Sequence, residues 1–205
     1  MFDSRVRQIT RVRVEPDVRH ILNKLRVNPD SSYADQINLI ISRAARRCEV
    51  NLSYRIDSLR VENSTVYIDN DLSIHSDNLS SLLYEFDRCV LMASAAADAV
   101  IRKIQKLTEQ ENMHEAQIYD AVASECVDAG FEHIRRIIDV NAARHGLQMI
   151  DKRFSPGYGD VELEIQKDIF EKLNLSQLGL SILPSCMMQP TKSATAISGL
   201  RRVKS

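Results

Sequence analysis

Apolar residues recur at helical spacing in six parts of the chain. The longest pattern covers residues 115–140, where its members fall three or four positions apart, as on the buried face of an amphipathic helix. The six predicted helices cover residues 16–26, 34–48, 80–86, 94–107, 115–140 and 161–173. Asp160 stands just before the last of them and is its N-cap candidate, because Asp side chains accept from free N–H groups at helix starts.

Between the helices, the period changes from helical to alternating. Residues 52–56 alternate apolar with polar, and residues 59–68 continue around Asn63-Ser64, which predicts a hairpin or meander. Further strands are predicted over residues 89–93, 147–154, 180–183, 186–189 and 193–198. Helices and strands are mixed without regular β-α-β alternation, so the pattern favours an α+β fold with a largely antiparallel sheet. No linker divides residues 1–205, and we expect a single domain.

Composition narrows the function classes. The 205 residues carry 27 basic and 28 acidic side chains, which gives no support for nucleic-acid binding. Two basic runs are predicted to be solvated ends: Arg5, Arg7, Arg11 and Arg13, and then Arg201, Arg202 and Lys204. No apolar run approaches the roughly 20 residues of a membrane-spanning helix, and the start of the chain lacks a secretory signal. We therefore expect a cytoplasmic protein with no membrane contact.

The familiar catalytic patterns are missing from the sequence. There is no phosphate-binding loop, no G-x-S-x-G elbow, and no histidine pair at helical metal-ligand spacing. The four cysteines, Cys48, Cys89, Cys126 and Cys186, are far apart and are predicted to be buried thiols in a reduced compartment. The sequence predicts no catalytic residue and no metal ligand.

One short segment combines groups suited to binding. Residues 153–160 join Arg153, a Pro156-Gly157 turn and Tyr158. Proline and glycine favour a tight turn, Arg153 could hold a carboxylate through two parallel hydrogen bonds, and Tyr158 could stack on a ring. The alternative is a strand-to-helix connection with an ordinary surface arginine. The residues alone leave both interpretations open.

This segment resembles the R-x-x-P-G-Y signature of the activation domain of cobalamin-dependent methionine synthase. Residues 185–196 resemble the E-S-x-x-M-x-P-x-x-S-V-S stretch of the same family, in the same order and at a similar distance, and residues 163–170 resemble the helix between them. Residues 93–97 lack the Thr and Gly that many relatives carry in A-T-L-G.

The resemblance implies an S-adenosylmethionine-binding fold that helps to restore methylcobalamin from cob(II)alamin by reduction and methyl transfer. Position by position, Arg153 would contact the ligand carboxylate, Ser155 would offer backbone groups, and Tyr158 would lie against the ligand or the corrin. Glu125 would face the methionyl amine or the sulfonium, or else be a solvated helix residue. The cofactor would carry the difficult chemistry and the protein would supply orientation.

The chain has no D-x-H-x-x-G cobalamin motif, so the expected partner is a separate cobalamin-bearing methionine synthase or corrinoid protein, with a flavodoxin-type reductant. The chain would be an accessory methyltransferase component rather than a complete enzyme. Two other hypotheses stay open: a non-catalytic interaction module of the same fold, and a binding protein for another adenosyl or amino-acid ligand. A filled pocket with Arg153 in an internal salt bridge would favour the interaction module.

Overall fold

An antiparallel sheet of seven strands forms the centre of the molecule. A computed structural model describes residues 4–69 and 71–202. The strands are β1 (Arg7–Arg13), β2 (Glu49–Glu62), β3 (Thr65–Ile68), β4 (Leu72–His75), β5 (Arg88–Ala96), β6 (Leu147–Met149), β7 (Ser181–Ile182), β8 (Met188–Gln189) and β9 (Ser193–Arg202). In the sheet they follow the order β4-β3-β2-β5-β9-β6, and β1 pairs with the first half of β2. β7 and β8 form a separate hairpin.

Helices cover both faces of the sheet. They are α1 (Val18–Lys24), α2 (Ser32–Ala45), α3 (Asp77–Leu83), α4 (Asp98–Glu109), α5 (Met113–Ala142) and α6 (Ile165–Lys172), with 3-10 turns at Ala143–His145 and Leu175–Leu178. The first core lies between the sheet and α1, α2, α4 and α5. The second lies under α3 and α6 on the opposite face. The predicted α+β fold with a largely antiparallel sheet is confirmed. In the described part of the chain, no helix is long and apolar enough to cross a membrane.

Strand β2 shows how the alternating pattern divides the two cores. Leu52, Tyr54 and Ile56 enter the α5 side, because successive strand residues point to opposite faces. On the α6 side, Ser53 Oγ donates to the carbonyl of Leu173 at 2.9 Å. This bond satisfies a free carbonyl at the end of α6 and fixes that helix on the sheet. The predicted meander is confirmed, with Asn63 and Ser64 at φ 46° and 62° in the turn between β2 and β3.

Helix α5 crosses the sheet at very short range. A Cβ on Gly130 would lie 2.2 Å from Ser94 Oγ and 2.8 Å from Leu52 Cδ2. Only a residue without a side chain fits this position, so Gly130 sets how closely α5 approaches β2 and β5. The same helix later supplies one wall of the candidate site.

Three predictions need correction. The arginines of the N-terminal basic run are exposed, but residues 7–13 form the edge strand β1; Lys204 of the other run lies outside the described residues. Residues 94–96 extend β5 instead of opening a helix. Asp160 caps α3 rather than α6, since its carboxylate accepts from Asp77 N at 2.7 Å and Asn78 N at 3.2 Å.

Candidate functional site

An open cleft of about 690 Å³ lies at the edge of the sheet, where β9 begins. Helix α5, the segment after β6, the start of α6 and the first residues of β9 meet there. Its lining consists of Asp128, Phe131, Arg153, Phe154, Ser155, Pro156, Gly157, Tyr158, Leu163, Gln166, Met187, Ser193, Ala194 and Thr195. The cleft is the place where the predicted 153–160 segment and the 185–196 stretch come together.

The sheet holds the Arg153 segment in place. Phe154 exchanges two backbone hydrogen bonds with Ile197 of β9, at 2.9 and 2.7 Å, so the chain runs along the edge of β9 up to this residue. It then turns, with Tyr158 N donating to Ser155 O at 3.2 Å and Gly157 at φ 84°, a backbone conformation that favours glycine. The turn is therefore built by local hydrogen bonds and by the Pro-Gly sequence, as predicted.

Asp160 fastens the far end of this turn. Its carboxylate accepts from Ser76 Oγ at 2.5 Å and from backbone N–H groups at the start of α3. The Ser76 hydroxyl, followed by Asn78 and Asp77, lowers the pKa of Asp160 to about 2, because hydrogen bonds to a carboxylate favour its charged form. The negative charge ties the turn to the start of α3.

Arg153 faces two carboxylates across the cleft wall. Its Nη2 lies 3.2 Å from Asp128 Oδ1, and its Nη1 lies 3.4 Å from Glu132 Oε1. The guanidinium carbon stands 5.0 Å from the centroid of the Phe131 ring, within the range of a cation–π contact. The Arg153 side chain is 31% exposed and its partners 50% and 42%. Both ion pairs are thus accessible to water and to a ligand.

The structure brings three of the four predicted site residues together and leaves the fourth outside. Arg153, Ser155 and Tyr158 line the cleft, and the Tyr158 side chain is 72% exposed. Glu125 does not line it: its carboxylate pairs with Lys24 Nζ at 3.1 Å and His20 Nδ1 at 3.4 Å. It is also only 6% exposed, so the alternative that Glu125 is a solvated helix residue is wrong. Glu125 joins α5 to α1.

The carboxylates that pair with Arg153 are those of Asp128, which lines the cleft, and Glu132, which lies outside its lining. Sequence reasoning missed both. They stand four positions apart on α5, the spacing at which two side chains share one face of a helix. That spacing, with Phe131 between them, is the available sequence signal. It cannot show which helix face meets Arg153, since that depends on the crossing of α5 over the sheet.

Residues 93–97, which depart from the family pattern, do not line the cleft. Residues 93–96 form the end of β5, where Ala93, Ala95 and Ala96 are buried, and Ala97 precedes α4. Ala93 pairs across the strands with Thr195, a cleft residue. The departure therefore lies behind the cleft wall, one strand away from it.

The loop before β9 is tied to α5 by a half-buried cation. Lys192 Nζ donates to Asp120 Oδ2 at 2.8 Å and to Ser124 Oγ at 2.9 Å. The Lys192 side chain is 20% exposed. This contact fixes the position of Ser193, the first β9 residue of the cleft. Among residues 4–69 and 71–202, no cluster of His, Cys, Asp or Glu is arranged to hold a metal ion.

Comparison with known proteins supports the fold through structure and not through sequence. No protein-family model matches the chain, and no curated protein matches it in sequence. A crystal structure of the MetH reactivation domain bound to AdoHcy superposes with a TM-score of 0.69, over 95% of this chain and 78% of that one, at 14% identity. An identity this low shows the fold alone. The chain therefore has the fold of the MetH reactivation domain.

Proposed function

We propose that this chain is an S-adenosylmethionine-binding activation component, which supports reductive remethylation of cob(II)alamin on a separate methionine synthase or related corrinoid protein. One observation carries the proposal: Arg153 stands beside two carboxylates in an open cleft. The fold supports it, because the MetH reactivation domain of the same fold was solved with AdoHcy bound.

The charges of the cleft suit an α-amino-acid head group. The guanidinium of Arg153 presents paired N–H donors to a ligand carboxylate, and Asp128 with Glu132 can accept from a ligand ammonium group. Ion pairs as exposed as those of Arg153 contribute only about 0.2–1 kcal/mol each. A charge-assisted hydrogen bond to a ligand contributes about 1.5–3 kcal/mol. The ligand can therefore replace the internal pairs at small cost.

The remaining steps need a partner. Cobalamin, held by the corrinoid protein, would supply the acceptor of the methyl group, and a flavodoxin-type protein would supply the electron. This chain would hold S-adenosylmethionine by its amino-acid end and present its methyl group at the open side of the cleft. Tyr158, 72% exposed, and Met187, 51% exposed, give that side an apolar rim, suited to contact with a second molecule.

Calorimetry tests the proposal directly. Titration with S-adenosylmethionine, with and without a cobalamin-loaded corrinoid methyltransferase, should release or absorb measurable heat. The corrinoid protein should also form a complex with this chain in size-exclusion chromatography. No heat under either condition would remove the proposal.

A second candidate, a non-catalytic interaction module, is favoured by the internal pairing of Arg153. The open cleft argues against it, since a module that lost its ligand is expected to have a filled pocket. The third hypothesis, a binder of another adenosyl or amino-acid ligand, is separated by titrating adenosine, AdoHcy and free amino acids in parallel. Binding of a free amino acid as tightly as AdoHcy would favour it.

A further inference from the structure

Gln166 is a buried amide in the wall of the cleft. It is 9% exposed, and its Oε1 accepts from Thr195 Oγ1 at 2.8 Å. Thr195 is 1% exposed, so its hydroxyl depends on this bond. In the described ranges, 4–69 and 71–202, no protein group accepts from the Nε2 of Gln166. Nε2 is not one of the fully buried side-chain atoms without a partner, so it keeps surface that solvent can reach. Because Gln166 lines the cleft, an acceptor atom of a ligand can reach this donor as well.

The position of Gln166 separates its role from that of Arg153. Arg153 packs on α5, whereas Gln166 belongs to α6, and these helices cover opposite faces of the sheet. The start of β9 lies between them. A ligand whose charged end pairs with Arg153 would therefore cross this edge and reach Gln166 with its other end.

The cleft that Gln166 lines also has apolar side chains in its walls. Leu163, Tyr158 and Met187 line the same cleft, and Tyr158 and Met187 expose most or half of their side chains. Apolar walls around a few oriented polar groups are typical of small-molecule sites. A flat heteroaromatic ring would cover these side chains, and a ring nitrogen would accept from the amide.

We propose that Gln166 is a specificity-determining residue, whose amide donates a hydrogen bond to a ring nitrogen of the adenine of the bound ligand. This inference rests on the proposed function, and it adds to it the means by which the nucleoside half is recognised. Thr195 is a positioning residue, because it orients the amide.

AdoHcy is the probe, and Gln166→Glu is the variant. Glutamate has the same shape and can still accept from Thr195, but it replaces the N–H donors with an oxygen that would face the lone pair of the ring nitrogen. We expect AdoHcy to bind about tenfold more weakly or worse. The control is Gln177→Glu, the same charge change at an exposed residue outside the cleft, which should leave the affinity unchanged. Thermal unfolding of both variants confirms that they fold.

A second measurement uses the wild-type chain and does not depend on a variant. The 1-, 3- and 7-deaza analogues of AdoHcy each replace one ring nitrogen with C–H. One of them should bind about tenfold more weakly than AdoHcy to the wild type, and show no such loss on Gln166→Glu. Equal binding of all three analogues and AdoHcy to the wild type would overturn the inference.

The pattern of results separates the inference from the proposed function. No binding of AdoHcy to the wild type overturns both. Binding that is lost in Arg153→Ala but unchanged in Gln166→Glu overturns only the role of Gln166. Binding weakened by both variants, with a penalty for a single deaza analogue, supports both.

Discussion

Replacing Arg153 with alanine should weaken the binding of AdoHcy by about 10- to 100-fold. The variant removes a charge-assisted contact with the ligand carboxylate, whose contribution is about 1.5–3 kcal/mol, and each 1.4 kcal/mol is a factor of ten in the dissociation constant. The upper end is reduced because the wild type gives up its pairs with Asp128 and Glu132, at 3.2 and 3.4 Å, when ligand binds. Those pairs are half exposed and weak.

The same substitution should lower stability only moderately. It removes two water-accessible ion pairs and the contact of Arg153 with the Phe131 ring at 5.0 Å, which contributes about 0.5–1 kcal/mol at exposed sites. The summed loss is about 1–3 kcal/mol, and each kcal/mol lowers the melting temperature of a chain this long by about 2–4 °C. The protein stays folded at 25 °C, so the loss of binding can be measured separately.

Calorimetry at 25 °C provides the assay, with the melting temperature recorded for each variant. Arg201→Ala is the matched control, because Arg201 is exposed and lies outside the cleft. Its guanidinium donates to Gln148 Oε1 at a distance of 3.1 Å. The control should bind AdoHcy as the wild type does. If Arg153→Ala binds within twofold of the wild type, Arg153 does not hold the ligand carboxylate, and its pairs with Asp128 and Glu132 are purely structural.

Three further predictions concern the frame around the cleft. Asp160 has a lowered pKa of about 2, so the stability that its charge contributes is complete above the unfolded pKa of 3.8 and is lost as the pH falls towards 2. Over this pH range the melting temperature should fall more steeply in the wild type than in Asp160→Asn. Parallel curves of melting temperature against pH would contradict the role of Asp160 as a cap of α3. Gly130→Ala should lower the free energy of unfolding, because overpacking costs about 1–3 kcal/mol and the gain in helix propensity is only about 1 kcal/mol. Ser94→Ala removes the oxygen that would lie 2.2 Å from the new Cβ, so denaturant titration of the double variant should show partial recovery of stability. No recovery would refute that contact. All four cysteines are buried, and burial raises the pKa of Cys89, so a thiol reagent should modify none of them before unfolding; rapid labelling of the native protein would show that a thiol is accessible.

Periodicity predicted the elements well where the two faces of an element meet different surroundings. Strand β2 alternates because one face packs on α5 and the other on α6, and α5 shows the helical period along nearly all of Met113–Ala142. Strand β1 was missed because its edge position leaves Arg7, Arg11 and Arg13 in water, so its apolar pattern is incomplete. An edge strand that carries charged side chains is hydrogen-bonded through its backbone, and its sequence then shows no clear apolar alternation.

The candidate site was only half accessible to sequence reasoning. Arg153 and Tyr158 flank the Pro156-Gly157 pair, which predicts a turn from the local sequence alone. That turn is enough to bring the two side chains into one segment. Asp128 and Gln166 come from α5 and α6, and their meeting with the turn depends on how both helices cross the sheet. Asp160 was assigned to the adjacent helix, whereas its carboxylate caps α3, more than eighty positions earlier. Contacts of this range are set by tertiary packing and are not encoded in a local pattern.

The ion pairs of Arg153 with Asp128 and Glu132 place charges of both signs where a zwitterion needs them. Charges suited to a carboxylate and to an ammonium group face one another, and they pair at 3.2 and 3.4 Å. A zwitterion exchanges each internal pair for a new one: its carboxylate takes Arg153 and its ammonium group takes Asp128 or Glu132. A simple carboxylate would take Arg153 and leave both acids without a cation. The arrangement therefore favours ligands that carry both charges, as the amino-acid end of S-adenosylmethionine does, over anions of the same size.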